Sequence, residues 1–189
     1  RYPVLTGIEK RLMLWTKQRN QTMNTPFIGP DGKQRCAWAG SAPEFLDYHD
    51  KEWGFPVIDD QRLFEKVCLE SFQSGLSWRT ILNKRAAFRI AFDGFNLHKI
   101  ALYTQEDVER LLNNADIVRN RRKIEAVINN AQRALEMQQE EGSLATFFWR
   151  YETKVILTPQ SQTTSIESRL EVCRSHHYVC LLTIYGVYQ

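Results

Sequence analysis

Apolar side chains recur every three or four residues through the centre of this chain, and that spacing constrains the fold more than any other feature. After a candidate cap at Asp59 or Asp60, the repeat predicts a helix. A second helix follows from Trp78, a third follows a Thr104 cap, and a long fourth covers 121–140. The LATFFWRY segment is also helical in pattern. No pair of alternating strands is visible, so the chain is predicted to be mostly α.

The length of 189 residues suits one domain that can bury a sizeable core. No apolar run approaches the roughly 18 residues that a membrane-spanning helix needs. The four cysteines have no dense spacing, which favours reduced thiols in a cytoplasmic protein. We therefore expect a cytoplasmic protein with no membrane segment, and a monomer.

Residues 1–34 differ from the rest of the chain in charge. They carry six Lys or Arg residues against two acids, a net charge of +4, so the remaining residues sum to −1. A polar, turn-rich stretch with Pro30-Asp31-Gly32 ends this segment. We predict a basic N-terminal extension over 1–34, disordered or acting as a basic arm, and a helical domain over 35–189.

The most informative pattern in the chain is a helix, a turn and a second helix over residues 104–140. The turn places four cations within five residues, beside the start of a helix whose unpaired N–H groups attract phosphate. Ile117 and Val118 could hold the turn against the core. The candidate DNA-binding residues are Arg119, Asn120, Arg121, Arg122 and Lys123. From spacing alone, a solvated basic face on an ordinary helical hairpin is an equal alternative.

Glu70 falls at the border of the apolar face of its helix, three residues after Val67. A carboxylate in that position needs hydrogen-bond donors or faces a cavity. Aromatic residues are frequent in the same half of the chain, among them Trp38, Tyr48 and Trp78. By spacing alone the carboxylate can be structural and the aromatics core. The functional alternative is a pocket for a flat, cationic ligand such as a nucleobase.

Two pairs of cysteine and histidine residues could bind a metal. Cys36 and His49 stand 13 residues apart, and His176 and Cys180 have i,i+4 spacing. Four N and S ligands would make a closed structural zinc site. The alternative is that these are unrelated thiols and imidazoles.

The motifs YHDKEWG, LESFQSGLSW and IVRNRRKI together resemble the 3-methyladenine DNA glycosylase I (Tag) family over roughly residues 35–150. The resemblance implies a helix-hairpin-helix DNA glycosylase fold. It also implies an activity, the excision of N3-methyladenine from alkylated double-stranded DNA in base excision repair. The family lacks the catalytic aspartate that many helix-hairpin-helix glycosylases place after the hairpin, and this chain has no aspartate after Asp116.

The resemblance also implies roles for matching residues. Glu70 corresponds to the glutamate that hydrogen-bonds the damaged base, and it is the catalytic candidate. Trp38, Tyr48 and Trp78 correspond to aromatic residues of the base pocket. Cys36 and His49 match two ligands of a structural zinc, and His176 and Cys180 have the spacing of the other two but stand earlier in the chain. No organic cofactor is expected.

Two alternative functions are compatible with the residues. One is a non-catalytic helix-hairpin-helix protein that binds DNA without releasing a base. The other is a small helical protein that binds a cationic ligand and has no role on DNA. Salt-dependent DNA affinity and the release of free base separate the three interpretations.

Overall fold

The computed structural model describes residues 26–150, which fall into two compact units, 26–54 and 55–150. The candidate zinc ligands His176 and Cys180 lie outside the described residues, as do residues 1–25 of the predicted extension. Among residues 26–150, no helix has the length and apolar character needed to cross a membrane.

The first unit begins with a short antiparallel ribbon of β1 (Phe27–Ile28) and β2 (Gln34–Arg35). The predicted Pro-Asp-Gly turn joins the strands. The Gly32 N–H donates to the Gly29 carbonyl at 3.0 Å, and Gly32 has a φ of 74° that a glycine adopts without strain. The 3-10 helix Ala37–Ser41 and helix α1 (Pro43–Lys51) complete the unit.

This ribbon crosses the predicted boundary of the N-terminal extension. The boundary predicted between residues 34 and 35 falls inside β2, so the end of the predicted extension is part of a folded unit. The buried Arg35 guanidinium bonds both Asp31 and Asp50, at 2.7 and 2.6 Å, and joins the ribbon to α1. Both acids are stabilised as anions, because hydrogen bonds from Arg35 hold the pKa of each carboxyl well below its usual range.

The second unit is helical, as the periodicity predicts. It contains α2 (Asp60–Gln73), α3 (Trp78–Ala91), a 3-10 turn at Asp93–Phe95, α4 (Leu97–Ile100), α5 (Gln105–Leu112), α6 (Arg121–Glu141) and α7 (Leu144–Trp149). Two expected caps are present. The Asp59 side chain accepts from the Arg62 N–H at 2.8 Å, and the Thr104 N–H donates to Asp107 at 3.0 Å.

Helix α2 packs against α3, α6 and α7. The core is rich in phenylalanine. Phe72, Phe88 and Phe92 are completely buried, and the rings of Phe72 and Phe88 lie 4.5 Å apart between centroids. Buried apolar residues of α5 and α6 belong to the same core, and α6 contacts both α5 and α2, so the hairpin packs with α2.

The Asp60 carboxylate connects three helices of the second unit. It accepts from the Gln138 side chain at 2.6 Å and from the N–H groups of Leu144 and Ala145 at 3.0 and 3.1 Å. It therefore joins the start of α2 to the end of α6 and caps α7.

Replacing Asp60 with alanine is expected to lower the free energy of unfolding by about 2–4 kcal/mol, because three hydrogen bonds disappear and donors are left unsatisfied. The check is the urea midpoint at constant m-value. Asp60→Asn keeps one acceptor oxygen and should fall between the two proteins. An unchanged midpoint in Asp60→Ala would show that the carboxylate does not stabilise this junction.

Candidate nucleic-acid site

Glu70 lies in the last turn of α2, where it is half-buried at the border of the core. The second glutamate of this helix behaves differently. Glu65 is buried, and its Oε1 pairs with the Arg89 guanidinium of α3 at 2.7 Å. Glu65 therefore holds α2 and α3 together, while Glu70 is half-buried at the border of the apolar face, as its spacing predicts.

The loop 74–77 connects the helix of Glu70 to the helix of Trp78. Helix α2 ends at Gln73, and Gly75 follows with a φ of 80°, a left-handed conformation that turns the chain. Ser77 then caps α3 by accepting from the Thr80 N–H at 3.1 Å. Trp78 is consequently the first residue of α3, and its half-buried indole packs against the core.

Leu76 of this loop is an apolar side chain with 40% of its surface exposed. Its sequence pattern did not predict a role in the site. The sequence feature that could have identified Leu76 is its place directly after a glycine, in a segment too short to form a helix. A leucine in such a segment is not expected to be buried. Its position between Glu70 and Trp78 makes it a candidate for contact with a ligand of this region.

Lys123 reaches from the first turn of α6 to the end of α2. Its Nζ donates to the carbonyls of Phe72 and Ser74 at 2.8 and 2.6 Å. Burial lowers the pKa of the Lys123 ammonium. This cation is therefore engaged inside the protein, in contrast to the phosphate contact predicted for it from the charge pattern.

The other hairpin residues form two groups: Asn120 and Arg121 are bonded within the protein, whereas Arg119 and Arg122 are exposed. The Arg121 guanidinium pairs with Glu109 at 2.5 Å and with Glu125 at 3.7 Å, and the hydrogen bond from Arg121 lowers the pKa of the Glu109 carboxyl. Asn120 caps α6, because its side chain accepts from the Lys123 N–H at 3.2 Å. Within the described part of the chain, Arg119 and Arg122 are exposed and make no ion pair.

The backbone of the turn is held from inside. Ile117 is 3% exposed, and Val118 packs against the core, as predicted. The Lys84 ammonium of α3 donates to the Asp116 carbonyl at 2.9 Å, which joins the turn to α3. In residues 26–150, the N–H groups of Arg119, Arg121 and Arg122 have no hydrogen-bond acceptor. A rigid turn with unused N–H groups and two exposed guanidinium groups suits an anionic phosphate.

The remaining aromatic candidates belong to the first unit. Trp38 is central to a cluster of rings there, with centroids 6.1 Å from Tyr48, 5.2 Å from His49 and 5.0 Å from Trp53. Trp38 and Tyr48 are therefore neighbours, whereas Glu70 and Trp78 lie in the second unit. The stacking roles that the resemblance implies for Trp38 and Tyr48 stay predictions.

The predicted zinc ligands Cys36 and His49 are also neighbours in the first unit. His49 Nε2 accepts from the Cys36 N–H at 3.3 Å, and Nδ1 donates to Asp50 at 2.9 Å. These contacts place the proton on Nδ1 and leave the lone pair on Nε2. A carboxylate on the second ring nitrogen is the usual arrangement of a metal-binding histidine. Residues 26–150 contain no group of three or more potential ligands.

The sequence model of the methyladenine glycosylase family matches residues 38–175, which include both the α2 helix and the hairpin. The chain belongs to the methyladenine glycosylase family. A DNA-3-methyladenine glycosylase of Haemophilus influenzae is 40% identical over 142 residues, or 75% of this chain and 77% of the relative. DNA-3-methyladenine glycosylase 1 of Escherichia coli is 45% identical over 118 residues, or 62% of this chain and 63% of the relative.

Methyladenine glycosylases are also found among solved structures. 3-Methyladenine DNA glycosylase I of Staphylococcus aureus, determined to show how that enzyme recognises 3-methyladenine, is 43% identical and superposes with a TM-score of 0.60. The superposition covers 62% of each chain. The predicted family and the predicted helical glycosylase fold are confirmed.

Proposed function

We propose that this protein is a DNA glycosylase that excises 3-methyladenine from alkylated double-stranded DNA, acting as a monomer in base excision repair. One observation carries the proposal. The family match covers the helix of Glu70 and the hairpin together, and Lys123 hydrogen-bonds the end of that helix from within the hairpin. A carboxylate for a base and a turn for a phosphate thus belong to one rigid unit. The relatives named above carry this activity in their names.

The reaction needs little proton transfer, because 3-methyladenine is already cationic before it leaves. Water adds its oxygen to the sugar C1′ and loses a proton to solvent, while the electrons of the N-glycosidic bond leave with the base. The base departs neutral. The protein must extrude the nucleotide from the stack, recognise the lesion and stabilise positive charge. The anionic Glu70 would attract the cationic base and accept hydrogen bonds from its edge.

The hairpin would supply DNA affinity. Arg119 and Arg122 are placed to neutralise phosphate charge, and the unused N–H groups at the start of α6 would bind phosphate oxygens. These contacts are independent of sequence, which suits an enzyme that must search undamaged DNA. Trp78, at the start of α3, would contribute an aromatic wall to the base site.

The test of this proposal is release of free base from methylated duplex DNA, identified by chromatography against the spontaneous rate. We expect release of 3-methyladenine under single-turnover conditions and none of unmodified adenine. A duplex affinity without base release would favour the non-catalytic DNA-binding alternative. Turnover of a cationic ligand with no salt-dependent DNA affinity would favour the third interpretation.

We also propose a structural zinc held in part by Cys36 and His49, with His176 and Cys180 as candidates for the remaining ligands. The support is the Asp50–His49 hydrogen bond and the adjacency of Cys36. When bound, zinc would join chain segments and take no part in the reaction.

Replacing Cys36 with serine is therefore expected to lower both the zinc content and the melting temperature of the full chain. Elemental analysis of zinc and a thermal unfolding curve on the same sample are the checks. His98→Ala removes an exposed imidazole and serves as the control, with no expected loss of zinc. A wild-type protein purified without zinc, whose melting temperature does not respond to added zinc, would contradict the site.

A further inference from the structure

We propose that Lys123 is a positioning residue that controls the loop 74–77 from the hairpin, and that it is not a phosphate contact. This inference rests on the proposed function. The rate of base excision depends on Lys123, because Lys123 positions the loop that contains Leu76 and leads to Trp78. The affinity for DNA depends on Arg119 and Arg122 instead.

The Lys123 ammonium is already bonded to backbone carbonyls. An ammonium has three donors and no acceptor. Two of these donors are directed at the carbonyls of Phe72 and Ser74, at 2.8 and 2.6 Å. Both carbonyls belong to the end of α2, where backbone acceptors have no partner within the helix. Lys123 thus acts as a C-terminal cap supplied by another helix, and a phosphate would have to compete with two good acceptors.

The bonded carbonyls lie where α2 leads into the loop 74–77. Ser74 directly follows the last residue of α2, and the next residues are Gly75, with its left-handed backbone, and the exposed Leu76. The loop has a further internal bond, because the Leu76 N–H donates to the Gln73 carbonyl at 2.6 Å. Fixing the Ser74 carbonyl therefore fixes the direction in which the loop leaves the helix.

The hairpin holds the backbone of Lys123 in place. Asn120 caps the Lys123 N–H, and Ile117 holds the turn in the core, so the base of the lysine side chain does not move independently. A phosphate bound at the turn would thus bind to the same rigid element that positions the loop. This arrangement links the place where DNA is bound to the segment next to the proposed base site.

The inference is tested with Lys123→Met in the full chain, on two measurements. The single-turnover rate of 3-methyladenine release is expected to fall about tenfold or more, because small displacements of a positioned group have large effects on rate. The slope of log K against log salt for duplex binding is expected to stay unchanged, whereas the loss of one phosphate contact would reduce the magnitude of that slope by about 0.9. Lys99→Met, whose ammonium pairs with Asp93, removes the same charge and should leave the rate unchanged.

Lys123→Arg separates the two roles further. Arginine binds phosphate at least as well as lysine does, but its planar fork does not fit the two carbonyls in the same way. We expect the arginine variant to keep the salt slope and to recover only part of the excision rate. Lys123→Gln keeps two N–H donors without the charge and supplies the comparison of salt slopes if Lys123→Met does not fold.

Two results would overturn the inference: a salt slope in Lys123→Met reduced as in Arg119→Ala, or a wild-type rate in Lys123→Met. A wild-type protein that releases no base would instead refute the proposed function, so the two failures are distinguishable.

Discussion

Glu70→Gln is expected to lower the single-turnover rate of 3-methyladenine release by about a hundredfold, the magnitude found when one preorganised electrostatic group of a site is removed. Glutamine has nearly the same shape but lacks the negative charge that attracts the cationic base. Its amide also presents donors where the carboxylate presents only acceptors. Duplex affinity should change little, because the proposed phosphate contacts lie in the hairpin. The measurement is base release from methylated duplex at saturating enzyme.

Glu65→Gln is the matched control, because Glu65 lies on the same helix and loses the same charge. Its partner is Arg89 at 2.7 Å, so we expect a lower melting temperature and a nearly unchanged rate of base release at a temperature where the protein is folded. A parental rate and unchanged lesion specificity in Glu70→Gln would refute the role assigned to Glu70.

The double substitution Arg119→Ala and Arg122→Ala is expected to weaken duplex binding by about ten- to a hundredfold at low salt. The reason is that two guanidinium groups without acidic partners in the described structure are removed from the phosphate-binding turn. The slope of log K against log salt should decrease in magnitude by about 1.8, since each phosphate contact contributes about 0.9. Fluorescence anisotropy of a labelled undamaged duplex, measured at several salt concentrations, is the check.

A control with the same change of charge comes from Arg133→Ala combined with Lys99→Met. Arg133 pairs with Glu136 at 2.6 Å and Lys99 with Asp93 at 3.4 Å, both outside the turn. This variant should keep the salt slope of the wild-type protein. Equal slopes in all three proteins would show that the hairpin does not bind phosphate through Arg119 and Arg122.

Most of the second unit could be predicted from the sequence, for a physical reason. Its helices bury one face, so the apolar period in segments such as Ile124 to Leu135 reports the packing directly. The caps at Asp59 and Thr104 satisfy backbone donors locally, and a local interaction can be predicted from local sequence. Ile117 was predicted correctly because an isoleucine among cations has few favourable positions outside a core.

The ribbon in the first unit could not be predicted, because two strands of two residues each give no measurable alternation. It is stabilised instead by Arg35, which binds one acid four residues before it and another fifteen residues after it. The first of these partners, Asp31, lies in the turn that was predicted to belong to an N-terminal extension.

The role of Lys123 could not be predicted either, since a run of cations specifies charge but not the direction of each side chain. Arg121 turns to Glu109, Lys123 turns to backbone carbonyls, and Arg119 remains exposed. These directions depend on the packing of α6 against α2, which only the three-dimensional structure shows. Leu76, unremarkable in the sequence, lies in the loop that joins the helix of Glu70 to the helix of Trp78, and its side chain is exposed.

The measurement that tests the central claim most directly is the amount of free 3-methyladenine released from methylated duplex DNA by the wild-type chain and by Glu70→Gln, followed together over time. We expect release by the wild-type protein well above the spontaneous rate, and a rate about a hundredfold lower for the variant. Binding of the methylated duplex by the wild-type protein with release no faster than the spontaneous reaction would contradict it.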